Sequence, residues 1–514
     1  SRRGVPVPAS RRSCCEVTPV DSEVPVIREP VLAGVDVGTT NTKVGMYRVD
    51  GSRVALRAWP TPADAGGLVT AVLDGLASLI ERVRQPPAAV GVTGMAESGV
   101  TVDSDLRPLH PLILWRDPRG GSGADRIRAE PGAAELFALT GVSLGTKTPL
   151  ARWRWLADTR PGLLTRRRVW LSAPDLVAAT LVGEAVTDIT LAGRTGGMDA
   201  RTGRYHPDLL AAAGISPAQL PRIVAPGQAA GRCATDAARR AGLRPGTPVV
   251  IAGHDHLVAG YAAGVRRPGE QMDSMGTAEA VFTITRDVPA DLSAGTGVSW
   301  NRFVDGTHYC LISGFPSAGG LVDWFTEGYL GLGGQAGYRR FGELVDAVGQ
   351  RPTGIVVEPY LSGRAAPAPD PRRGLGVHGV RPRHTIGDLA LALLEGACAQ
   401  VRWLAGQHLG LVGAAGPGPT VVAGGPTRSR TWMRVKAAVG PGPLRVVEDP
   451  DAACAGAALL AGEAGLGVPA PVLTASPVTT DEQERERYDR FYRESFLPVV
   501  TAETFQPDDP WGSR

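Results

Sequence analysis

From Val31 the chain reads "VLAGVDVGTTNTKVGMYRVDG", two apolar runs parted by a small polar turn that carries an aspartate, a glycine, three threonines and a lysine. From Gln271 it reads "QMDSMGTAEAVFTIT", again an apolar run, an acid, a Gly-Thr pair and a second apolar run. A strand–turn–strand signature repeated this far apart constrains the chain more than any other feature. It predicts two related halves, each opening its sheet with an antiparallel pair. A chain of 514 residues also exceeds what one ordinary core accommodates.

The elements around the first hairpin point to the fold class. "RVALRAWP" predicts a third strand, joined to the second by an Asp50-Gly51 turn. "GLVTAVLDGLASLIERV" has apolar residues at helical spacing, and "AVGVTGM" returns to a short buried strand. Strands mixed with covering helices mean an α/β protein. "TPVVIAG" predicts another strand, with "HDHLVAGYAAGV" starting a helix, and "RRPGEQ" is a break. The expected organisation is an N-terminal extension over residues 1–30, a first domain over 31–266, a second over 267–500 and a tail over 501–514. The last helix is expected within "DEQERERYDRFYRESFLPVV", which spaces Tyr488, Phe491 and Tyr492 at helical intervals.

Several classes of function are excluded by composition. The 54 basic and 51 acidic residues nearly balance, so there is no electrostatic footprint for nucleic acid or an anionic membrane. No apolar run approaches the roughly 20 residues that span a bilayer. The first thirty residues lack the apolar centre of a signal peptide and read as disordered. Cys14, Cys15, Cys233, Cys310, Cys398 and Cys454 show neither zinc spacing nor a disulfide framework, which suits reduced thiols in a cytoplasmic protein.

Chemistry concentrates at four places. At Asp36–Lys43, backbone amides, hydroxyls and a lysine suit phosphate oxygens, and an acid at a strand end suits Mg²⁺ directly or through water; a plain polar hairpin is the rival reading. A Walker A loop is excluded because Gly-Lys never occurs. "GHDHLVAG" sets Asp255 between His254 and His256 at the end of an apolar strand. A carboxylate there suits removal of a proton from an attacking hydroxyl, a helix N-cap, or metal ligation with the two histidines. "GTAEAV" at Gly276 repeats the first turn, and "VVAGGPTRSRTW" runs a strand into two glycines with Ser429 at a helix start, where a flat ring approaches backbone closely.

Taken in order, "DVGTTNTK", "GHDH", "GTAEAV", "AGGPTRSRTW" and "GAALLAG", with "PLARWRWL" and "DLALALLEG", resemble the FGGY family of carbohydrate kinases from Val31 to about Val500. The resemblance implies two ribonuclease-H-like, actin-like ATPase domains closing over a catalytic cleft, with ATP and Mg²⁺ as cofactors. It implies Asp255 as general base and Asp36 as the organiser of Mg²⁺, through water. Thr39, Thr40, Lys43, Gly276 and Thr277 would hold the β- and γ-phosphates, and Gly319, Gly424, Gly425 and Ser429 would face the nucleotide. Glu97 in "VTGMAESG", Trp115 and Asp117 in "ILWRDPR", and His256 beside the base would meet the substrate. That substrate is a small sugar, polyol or cyclitol, and the family allows a homodimer. Departures from the family pattern are Arg152 where lysine is usual, Met95 for glutamine, Arg364-Ala365, and Ala437-Ala438. The rival functions are a non-catalytic sugar or nucleotide sensor on the same fold, and another actin-like ATPase; retention of Asp36, Lys43, Asp255 and both Gly-Thr turns argues for the kinase.

Overall fold

The computed structural model describes residues 29–130, 135–276, 278–349 and 351–502. Residues 1–28 of the expected extension, Thr277, and all but the start of the expected tail lie outside the described residues.

The first hairpin forms as read: β1 (Val31–Val37) pairs antiparallel with β2 (Asn41–Arg48), and β2 with β3 (Arg53–Pro60). Helix α1 (Ala65–Val83) follows, started by Asp64, whose carboxylate accepts a hydrogen bond from Gly67 N at 2.6 Å. It buries Leu68, Val72, Leu76, Leu79 and Val83 at helical spacing. The chain then adds β4 (Ala89–Gly94) parallel to β1, and much later β5 (Pro248–His254) parallel to β4. The sheet order is β5-β4-β1-β2-β3, with a short antiparallel edge, Gly231–Arg232, outside β5. All seven residues of β1 are buried, because the central strand is covered on both faces.

After helix α2 (Asp255–Ala262) the pattern repeats. Strand β6 (Gln271–Met275) pairs antiparallel with β7 (Glu279–Thr285), and β7 with β8 (Tyr309–Phe315). Strand β9 (Thr420–Gly424) then joins β6 in parallel, and β10 (Leu444–Val447) joins β9 in parallel. The second sheet therefore reads β8-β7-β6-β9-β10, the same arrangement, with Ser299–Arg302 and Ala475–Val478 added at its edges. The echo of two Gly-Thr turns in the sequence is an echo of two whole sheets.

The halves interlock through helix α3 (Ala452–Leu466), which leaves the second sheet after β10 and packs on β1, β4 and β5 of the first. Contact is backbone against backbone. A Cβ on Gly34 would lie 2.0 Å from the Cys454 carbonyl oxygen, and one on Gly91 would lie 1.8 Å from that of Ala457. Only glycine in the sheet lets the helix approach so closely. The C-terminal segment expected as one helix is helical over Glu482–Phe491, widens to a π turn at Tyr492–Phe496 and closes over Leu497–Thr501. Tyr488 and Phe491 are buried on its inner face.

Candidate active site

Asp36 stands next to last on β1, directly opposite Lys43 on β2. Its Oδ2 lies 3.6 Å from the lysine Nζ, while its buried Oδ1 has no hydrogen-bond partner among the described residues. Burial pushes the carboxyl up to about 6; Lys43 opposes the rise, and Asp255 and Asp451 add to it. An orphaned carboxylate oxygen beside other acids fits a hard cation or that cation's water. Lys43 also reaches Asp451 Oδ1 at 3.2 Å, and Arg53 reaches Asp451 Oδ2 at 2.8 Å. Asp451 sits at the start of α3, so the first hairpin is tied to the helix that arrives from the second sheet. Burial works against the Lys43 ammonium, but Asp36 and Asp451 outweigh it and raise its pKa.

The turn after β1 meets a segment expected at the substrate. Thr39 Oγ1 accepts the Trp115 indole N–H at 2.8 Å, and Thr40 is exposed at the tip. Arg152, fully buried on the helix Pro149–Thr159, donates to the carbonyls of Glu97 at 2.6 Å, Trp115 at 2.7 Å and Asp117 at 3.4 Å. One guanidinium thus holds together the two segments expected at the substrate. Glu97 has φ of 64°, and its side chain, 11% exposed, pairs with Arg194, whose Nε lies 3.0 Å from Oε1. Burial alone would raise the Glu97 carboxyl; Arg194, with smaller help from Lys147 and His254, reverses this and holds it down at about 2. Asp117 is engaged differently: it caps a short turn and both its oxygens accept from Arg119 Nε, at 2.9 and 3.0 Å.

The Asp255 turn is built by a register shift in β5 between Ile251 and Gly253, which re-aims the end of the strand. Gly253 has φ of 117°, and a Cβ there would meet Thr190 Oγ1 at 2.4 Å, so glycine is required twice over. Thr93 donates to the Gly253 carbonyl at 2.6 Å, and His254 N donates to Thr190 Oγ1 at 2.8 Å. Asp255 is the first residue of α2; its Oδ1 accepts from His256 N at 2.8 Å and lies 3.4 Å from His254 Nε2. The helix cap position belongs to His254, with no side-chain cap bond. Burial pushes the His254 imidazole down to about 4, so it is neutral near pH 7.

His256 bridges to the second sheet, its Nδ1 2.8 Å from Ser274 Oγ on β6. Counting back from the turn glycine, Ser274 occupies the place that Asp36 holds on β1. Gly276 follows, and the parallel register sets Met275 beside Gly424. A Cβ on Gly424, where φ is 118°, would lie 1.9 Å from the Met275 carbonyl oxygen. Gly425 opens a short turn and Ser429 caps the helix Arg430–Val439, accepting from Trp432 N at 3.3 Å. Gly319 is buried in the first turn of the helix Ala318–Leu330.

These contacts run from residue to residue: Asp36 feels the charge of Asp255, Asp255 accepts from His256 N, His256 meets Ser274, and β6 lies beside Gly424. Arg194, Asp451 and Ser274 carried no sequence signal as site residues, because each acts through a partner remote in the chain. Arg152 stood out only as a departure from a motif. The other departures are accommodated structurally. Met95 Sδ lies 3.6 Å from Thr39 Oγ1, and Arg364 donates to the carbonyls of Ala368 and Val500 at 2.8 and 2.5 Å. Ala437 and Ala438 are buried.

Residues 31–261 match the N-terminal domain of the FGGY family of carbohydrate kinases, and residues 272–465 match its C-terminal domain. The chain belongs to the FGGY family of carbohydrate kinases. It is 28% identical over 448 residues to an L-fuculokinase of Escherichia coli O157:H7, covering 84% of this chain and 92% of that one. It is 29% identical over 418 residues to a xylulose kinase of Streptomyces rubiginosus, covering 79% and 82%. Among solved structures, the xylulose kinase from Rhodospirillum rubrum superposes with a TM-score of 0.78 at 27% identity, over 90% of this chain and 97% of that one. This FGGY kinase is an ATP-dependent phosphotransferase with an alcohol group as acceptor. Its two α/β domains have the actin-like ATPase architecture of the family. No helix among the described residues is long and apolar enough to cross a membrane.

Proposed function

We propose that this kinase moves the γ-phosphoryl group of ATP to a hydroxyl of a small sugar, polyol or cyclitol, with Asp255 as the general base. The single observation that carries the reading is the placement of Asp255. It lies within electrostatic reach of Asp36 on the first hairpin, and its neighbour His256 is bonded to Ser274 on the second. A carboxylate between two phosphate-type turns is placed to take the acceptor proton as the hydroxyl attacks in line.

Asp36 would hold Mg²⁺, through water, on its unpartnered oxygen. Bound there with ATP, the ion would neutralise phosphate charge. Thr39, Thr40, Lys43, Gly276 and Thr277 bind the β- and γ-phosphates, and Gly319, Gly424, Gly425 and Ser429 line the nucleotide. Glu97 accepts a substrate hydroxyl, its carboxylate kept ionised by Arg194. Trp115 forms an apolar wall that is locked to the phosphate turn through Thr39. Asp117 and His256 complete the substrate contacts. The protein works in the cytoplasm, a reading supported by four free, buried cysteines among the described residues. The named relatives act as fuculokinase and xylulose kinase, so ketoses and deoxyketoses head the candidate acceptors, followed by alditols and cyclitols.

The test is ADP release over that panel, with product mass measured, by the parent and by Asp255→Asn. The variant should fold and lose about 10²–10⁴-fold in turnover, the span of general base catalysis. Turnover at the parent rate would remove Asp255 from the role.

A further inference from the structure

His254, Asp255 and His256 offer two imidazoles and a carboxylate whose ligating atoms all lie within 4.8 Å of one another. We propose that this turn is a reversible binding site for a borderline divalent cation such as Zn²⁺, and that such a cation inhibits the kinase by occupying its base. The donor set is the reason for the metal class. Two nitrogens and one carboxylate suit Zn²⁺, Co²⁺ or Ni²⁺, whereas Mg²⁺ takes oxygens.

The geometry is close to what a tetrahedral ion needs. Bonds of about 2.0–2.1 Å set neighbouring ligand atoms roughly 3.3–3.4 Å apart. His254 Nε2 lies 3.4 Å from Asp255 Oδ1, and His256 Nε2 lies 3.9 Å from the same oxygen. The two rings are not stacked, their planes standing 77° apart. The backbone under the turn is rigid, fixed by Thr93 on Gly253 and by Thr190 on His254.

The surroundings of the two histidines differ, and this sets the strength. Ser274 Oγ meets His256 Nδ1 at 2.8 Å, the outer hydrogen bond that orients a ligating imidazole and leaves Nε2 for the ion. His254 Nδ1 is buried with no partner among the described residues. An ion on its Nε2 would leave a proton on that nitrogen with nothing to accept it, which costs affinity. The site therefore suits an ion that comes and goes rather than a resident cofactor. The same Ser274 belongs to the second hairpin, so the ligating turn is tied to the second half through this outer hydrogen bond. While Asp255 is a ligand it cannot take a proton.

The inhibitory half rests on Asp255 as the base; the binding half does not. The experiment titrates Co²⁺, whose ligand-field absorption reports its ligands, into full-length protein carrying Cys14→Ser and Cys15→Ser. A band saturating at one ion per chain and displaced by Zn²⁺ is expected. His256→Gln and His254→Gln should each weaken binding at least ~10-fold, and Ser274→Ala should weaken it about 10-fold by freeing the outer hydrogen bond. Far-UV dichroism checks that each variant folds. No saturable band, or a band unchanged in the half-buried His256→Gln variant, overturns the site. In parallel, Zn²⁺ should inhibit ADP release at saturating Mg·ATP over the range in which it displaces Co²⁺. Stoichiometric binding without inhibition overturns the claim that the ion blocks catalysis, and counts against Asp255 as base while leaving the site in place.

Discussion

Replacing Arg194 with methionine tests the ionic core of the substrate side. Arg194 and Glu97 are 6% and 11% exposed at their side chains, so solvent screens the pair little. Removing one member of a buried pair costs about 3–5 kcal/mol, because the other is left as an uncompensated charge. The carboxyl itself supplies a second route to the number. Glu97 is held at about 2 against an ordinary value of 4.5, a difference worth ~3 kcal/mol of differential stabilisation of the ionised form. The two routes agree in order of magnitude, and they make a pH signature that a packing defect would not.

In the parent, Glu97 has its folded pKa lowered, so its contribution is present above about pH 4.5 and is lost as pH falls toward about 2. In Arg194→Met the buried carboxyl has lost its partner and its pKa moves the other way, so stability should decline as pH rises past about 4.5. The gap between the two proteins is therefore widest near about pH 7 and closes as pH falls toward about 2. Urea unfolding followed by tryptophan fluorescence would measure it, with Glu97→Gln and the double variant completing a cycle. Glu97→Gln should restore part of the stability that Arg194→Met loses. A gap independent of pH, or no recovery in the double variant, would refute the reasoning.

Arg152→Met removes the donor shared by the Glu97, Trp115 and Asp117 carbonyls. It should raise KM for the acceptor about 10-fold, through misplacement of the substrate segments, with KM for ATP unchanged; an equal rise in both would contradict the assignment of these segments to the substrate. Gly91→Ala would thrust a methyl to 1.8 Å from the Ala457 carbonyl oxygen. It should cost about 3 kcal/mol or more in unfolding free energy, whereas Gly145→Ala, with open space around it, should stay within ~0.5 kcal/mol. Glu395, buried in the helix Ile386–Leu411, is pushed up to about 8 by burial against hydrogen bonds from Thr353 and Tyr488 that pull it down. A raised folded pKa means stability present below the ordinary value of 4.5 and lost as pH rises through about 8, so Glu395→Gln should flatten the decline in melting temperature between about pH 4.5 and about pH 8.

What was legible in the chain was local. The two hairpins, α1, β4 and the strand leading to Asp255 follow from apolar spacing and turn residues, which neighbouring side chains decide between themselves. The turn residues of the candidate site, from Asp36 to Gly425, could be picked out for the same reason: a Gly-Thr bend and an acid at a strand end announce themselves over a few positions. Tertiary structure alone decided how those pieces are charged and held. Arg194 lies 97 positions from Glu97, and Arg152 gathers three carbonyls from up to 55 positions away. The reach from Lys43 to Asp451 spans both halves. No local pattern encodes such pairs, since an arginine on a helix looks alike whether it faces solvent or a buried acid. Nor could the sequence show that α3, written into the second half, would cover the first sheet. That is settled by close packing, where glycines at Gly34 and Gly91 admit a helix backbone and any larger side chain would keep it out.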